Sequence, residues 1–145
     1  MKGLNETERW QLIRENRAII GSIDWDFVVT LNTREKNGTN RTHKIWEFER
    51  RLNQALIGRH WRKDTTKGIR WIHNLEDTKQ SHSHSVCKCD GFEVSEQAFR
   101  TQARRIWAQI NRQRTKAQVH INTVTNLDAV AQYITKDGVM DCTPI

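Results

Sequence analysis

A chain of 145 residues with 36% apolar content and six tryptophans is long enough to bury one core, too short for a second enzymatic domain, and too apolar for a disordered segment. Its 24 Lys and Arg against 17 Asp and Glu leave a net charge of +7 and a pI near 9.7, which favours an acidic partner, nucleic acid ahead of a membrane surface. No run approaches the roughly 20 apolar residues of a membrane span, residues 1–10 lack the apolar core of an export signal, and three cysteines do not form a disulfide framework, so a reducing, cytoplasmic setting is expected.

Apolar residues at Trp10, Leu12, Ile13, Ala18 and Ile19 predict a leading helix over Glu6 to Ile20, ended by Gly21-Ser22. Asp24 to Asn32, rich in β-branched and aromatic residues, predicts a first strand, and Thr33 to Arg41 a polar loop. Thr42 is the expected N-cap of a helix carrying Ile45, Trp46, Phe48, Leu52, Ala55 and Leu56, with Gly58 near its end. Gly68 to Glu76 reads as a second strand, Asp77 to Ser81 as a turn, and His82 to Cys89 as a third strand. Asp90-Gly91 breaks the pattern. Ser95 caps a helix with Ala98, Phe99, Ala103, Ile106, Trp107 and Ile110 at spacings of three and four. Ala117 to Thr125 alternates as a fourth strand, and Thr125 or Asn126 caps a last helix.

After the leading helix the order is β-α-β-β-α-β and then a helix. That is the split βαβ, or ferredoxin-like, arrangement: an antiparallel sheet with two helices on one face and the other face open for a ligand. A single domain fills residues 1–145, with the leading helix within 1–21, the core at about 24–137 and a short tail.

Alternate residues of a strand share a face, so His82 and His84 project together. A hairpin across Asp77 to Ser81 sets Glu76 opposite His82 and Asn74 opposite His84, which makes Glu76 the candidate third ligand and turns His73 to the other face. Two histidines and a carboxylate with open positions suit manganese, magnesium or a similar divalent ion. The competing set, zinc on His82, His84, Cys87 and Cys89, has poor spacing: in a continuous strand both cysteines face away from the histidines.

Further along, Tyr133 and Lys136 stand at i and i+3 of the last helix and share a side. A phenol with an ordinary pKa near 10 needs help to attack at neutral pH; a metal that polarises the phosphate and a lysine beside the phenolate would supply it. Basic runs at Arg59 to Lys63 and Arg112 to Lys116 occur on no single stripe, and core packing is the expected use of most tryptophans.

The segments Phe27-Val28-Val29-Thr30-Leu31-Asn32, His82-Ser83-His84 and Tyr133-Ile134-Thr135-Lys136 resemble, in order, the three motifs of the HUH endonucleases, which include rolling-circle replication initiators, relaxases and single-tyrosine transposases. The resemblance spans roughly Trp25 to Asp137, with Ser83 where the family usually has a bulky apolar residue. It implies metal binding by His82, His84 and Glu76, a nucleophile at Tyr133 assisted by Lys136, and DNA contact or scaffolding by Thr30 and Asn32. The implied reaction nicks and rejoins single-stranded DNA at an origin or hairpin through a 5′-phosphotyrosyl link. The short chain favours an initiator for a plasmid or phage-like element, with any helicase a separate protein. The rivals are an inactive relative and a nucleic-acid-binding module, although the third strand lacks the aromatics on which RNA-recognition modules stack bases.

Overall fold

The computed structural model describes residues 5–32, 38–75, 82–112, 118–127, 129–131 and 141–143. The first helix, α1 (Glu6–Gly21), opens with a reciprocal cap: Asn5 Oδ1 accepts from the Glu8 N–H at 2.8 Å, and Glu8 Oε2 accepts from the Asn5 N–H at 3.1 Å. Trp10 and Ile19 are about half exposed, and α1 contributes Ile20 from its last turn.

Strand β1 (Phe27–Asn32) alternates strictly, with Phe27, Val29 and Leu31 buried. It starts three residues later than expected, because Asp24–Asp26 make an entry bend with jobs of its own. The Trp25 indole N–H donates to the Ile20 carbonyl at 2.7 Å, and Asp26 Oδ2 accepts from the Cys89 N–H at 2.7 Å.

Helix α2 (Gly38–Leu56) starts four residues before the anticipated cap, so Thr42 lies inside it. The buried face explains the difference. Arg41 is 8% exposed and stands one turn before Ile45, followed by Phe48, Glu49 and Leu52. A buried arginine and a buried glutamate extend this stripe, and apolar periodicity alone does not register them. Gly58, at φ 133°, ends the run in a conformation that favours glycine.

A short 3-10 turn (Trp61–Lys63) leads to β2 (Gly68–Leu75), which pairs antiparallel with β3 (His82–Asp90) from Gly68↔Asp90 to Leu75↔Ser83. Helix α3 (Glu96–Ile110) is capped as expected, Ser95 Oγ accepting from the Ala98 N–H at 3.1 Å. Strand β4 (Gln118–Thr123) pairs antiparallel with β1, and Asn126 Oδ1 then accepts from the Ala129 N–H at 3.1 Å, capping helical backbone at 127 and 129–131. Strand β5 (Asp141–Thr143), which no sequence signal announces, pairs with Trp71–His73 of β2.

The result is an α+β chain with an antiparallel sheet ordered β4-β1-β3-β2-β5. The larger core lies between the sheet and α2 with α3. Phe48 packs edge-on to Trp71 and Trp107, with ring centroids at 5.9 and 5.6 Å, and Phe27 stacks on Phe99 at 4.3 Å. A smaller cluster on the opposite face joins Ile20, Trp25, Ile72, Val86 and Ala131. No described helix is long and apolar enough to cross a membrane.

Candidate functional site

Pairing fixes which side chains share a face. His84 lies opposite Thr30 on one side and Asn74 on the other, and Thr30 in turn lies opposite His120. One row across the sheet therefore reads His120, Thr30, His84, Asn74, on the face away from α2 and α3. The next row sets Gln118, Asn32 and His82 side by side in backbone register. Of His82 only the backbone is described, and Glu76, Tyr133 and Lys136 lie outside the described residues.

Within the row, His84 is 5% exposed and its Nδ1 lies 3.4 Å from Thr30 Oγ1. A hydroxyl at one ring nitrogen helps to orient an imidazole, as partners of metal-bound histidines do. Asn74 is fully buried beside it. Asn32 is half-buried, and its carbonyl accepts from the Trp107 indole N–H at 2.9 Å, which ties the end of β1 to α3. His120 is exposed at the outer end of the row. Among the described residues no three His, Cys, Asp or Glu side chains converge as a metal site. Asn74 and His120 join the row through strand register, a signal that was partly available from the hairpin spacing.

The opposite face excludes the alternative ligands. Cys87 is fully buried in the core against α2 and α3 with Cys89 packed beside it, so neither can share an ion with His84. Both are free thiols; burial pushes Cys87 well above the ordinary thiol pKa and Cys89 up to about 12. His73 also points to this side, as its register predicts. Its Nε2 lies 2.5 Å from Glu49 Oε1, its Nδ1 2.5 Å from Ser85 Oγ, and Ser85 Oγ 3.1 Å from Ser83 Oγ. This carboxylate–imidazole–hydroxyl chain looks like a nucleophile relay, but Ser85 has no exposed surface and His73 only 2%, so no substrate can reach the hydroxyl. Its role is to satisfy polar groups inside the core. Ser83, where an apolar residue was the family expectation, is part of that chain and faces away from His84.

No protein-family profile, curated protein or solved structure matches this chain.

Proposed function

We propose that the chain is a single-stranded DNA nicking and joining enzyme of the HUH type, built on a ferredoxin-like βαββαβ core with a nucleophile on the C-terminal helix. The observation that carries this reading is a shared face. Ala131, two residues before Tyr133, is buried against Ile72 and Val86, and these residues of β2 and β3 stand two positions before Asn74 and two after His84. The segment leading to the tyrosine is thus packed on the histidine side of the sheet. The strand order, with β1 and β3 central and a hairpin joining β2 to β3, also fits that fold.

In this reading His82, His84 and Glu76 hold a manganese or magnesium ion, continuing the pairing that sets Asn74 opposite His84. In this reading a ring nitrogen of His84 would take the metal, with Thr30 Oγ1 beside Nδ1 orienting the ring. The donor set suits a hard or borderline divalent ion, which when bound would polarise the scissile phosphate. The Tyr133 phenol gives its proton to solvent and its oxygen attacks phosphorus; a Tyr–O–P bond forms to the 5′ side as the P–O3′ bond breaks, and the leaving 3′ oxygen takes a proton from solvent. Lys136 stabilises the phenolate, and attack by a 3′-hydroxyl reverses the step and frees the enzyme. Thr30 serves as the orienting partner of His84, and Asn32 as scaffold at the DNA-facing end of β1. Nicking of this kind starts rolling-circle replication of a small element, with a separate helicase opening the duplex. Relaxase or transposase use would employ the same chemistry.

A denaturing gel with labelled single-stranded oligonucleotides, including hairpins, tests the proposal. A manganese-dependent covalent protein–DNA band that disappears in Tyr133→Phe is expected. Persistence of the band in Tyr133→Phe would reject the assigned nucleophile. Absence of any band, with metal and DNA both bound, would identify a binding protein instead.

A further inference from the structure

A pocket of about 450 Å³ opens on the side of the sheet away from His84, between α2, the 3-10 turn and the start of β2. Three indoles line it. Trp46 is 54% exposed, an unusual setting for so large an apolar side chain, and Trp61 is half-buried with the Arg62 guanidinium 5.2 Å from its ring centroid. Trp71 is 1% exposed, and its indole N–H has no hydrogen-bond partner among the described residues.

Charge narrows the ligand. The carboxylates of the lining are engaged: Glu49 by His73, and Asp64 by the Thr66 N–H and hydroxyl. The cations are less so. Arg62 makes no ion pair among the described residues, and Lys67 reaches Asp64 only at 3.9 Å. Arg50 is held by Glu47. A purely apolar ligand would leave both cations unused, whereas a small anion would leave the indole faces uncovered. A planar ring joined to a phosphate uses both.

We infer that this pocket binds one nucleotide of single-stranded DNA, its base against Trp46 and Trp61 and its phosphate on Arg62 and Lys67. Stacking on indoles with cations beside the backbone is a general way to hold single strands. The site lies across the sheet from the proposed nicking centre and rests on that reading only in the choice of DNA as the strand.

The test uses the full chain carrying Tyr133→Phe, so that no covalent adduct forms, and a mixed-sequence 15-mer with one 5-iodouracil. Ultraviolet cross-linking is expected to modify the peptides holding Trp46 or Trp61. In fluorescence anisotropy, Trp46→Ala and Trp61→Ala should each weaken single-strand binding about five- to a hundredfold, and Arg62→Gln should lower the salt slope by about one. Both indoles are accessible, so thermal melts should match the parent. Affinities within twofold of the parent, with cross-links only elsewhere, would overturn the inference. Equal losses for single-stranded and duplex DNA would do so too, since they indicate charge without base contact. The nicking gel reads separately: a Tyr133 adduct with unchanged Trp61→Ala binding rejects the pocket alone, and cross-links at Trp61 without any adduct reject the nicking reading alone.

Discussion

Thr30 and His84 meet through a single contact, hydroxyl to Nδ1 at 3.4 Å, in an otherwise buried part of the row. Thr30→Val keeps the shape of the side chain and removes that contact. Manganese affinity measured by calorimetry should fall about tenfold to a hundredfold while the fold survives, the usual cost of losing an orienting partner; unchanged affinity would mean Thr30 does not position the imidazole. On the other face, the raised pKa values of Cys87 and Cys89 keep both as thiols at pH 8. Mass spectrometry after iodoacetamide treatment should find neither alkylated in the native protein and both alkylated in denaturant. Much of this scale was legible beforehand. The two-residue period of β3 assigned His82 and His84 to one side and Cys87, Cys89 and, through its partner strand, His73 to the other. Period says nothing of long-range partners, so the Glu49–His73–Ser85 chain, which needs α2 to dock on the sheet, could not be read.

Among the elements, turns and caps behave as their residues dictate. Gly91 has φ 77°, and a Cβ there would stand 1.9 Å from the Thr66 carbonyl oxygen, a backbone atom that cannot step aside cheaply. Gly91→Ala should therefore destabilise the chain by on the order of 3 kcal/mol, lowering the melting temperature by roughly 10 °C. A melt within a degree or two of the parent would show that the turn tolerates a side chain. Ser95→Ala removes only the α3 cap and should cost about 1 kcal/mol. On α2, Glu47 is hydrogen-bonded and ion-paired to Arg50 and Arg51, which lowers its carboxyl pKa to about 2. A depressed carboxylate pKa adds stability above its ordinary value of 4.5, a contribution that disappears as pH falls toward 2. Denaturation titrations should thus find Glu47→Gln costing something at pH 6 and much less at pH 2. The start of α2 was the element boundary read least well, because its first buried residue is an arginine. Strand β5 escaped notice since three residues, Asp141, Cys142 and Thr143, carry no periodic signal.

For the molecule as a whole, a net charge of +7 predicts DNA binding that weakens steeply with salt. The slope of log affinity against log salt should be clearly negative for any single-stranded probe, and a flat dependence would remove charge as the basis of binding. The α+β class followed from the order of elements, since alternating strands and amphipathic helices of these lengths leave few ways to bury both helices on an antiparallel sheet. Which tryptophans stay outside the core was less legible: Trp25, Trp71 and Trp107 are buried, whereas Trp46 is exposed and Trp61 half-buried.

The place of β1 in the middle of the sheet has a consequence for how the chain acquires its structure. Its partners are distant in sequence, Phe27 meeting Cys87 on one edge and Thr123 on the other. During synthesis β1 therefore waits, with both hydrogen-bonding edges bare, until residues some sixty and then nearly a hundred positions later have emerged. Among the described strand pairs, only β2 and β3 are neighbours in the chain. Refolding should be slow for so small a protein, milliseconds to seconds rather than microseconds. Fragments ending before β3 should aggregate through the unpaired Phe27–Asn32 segment.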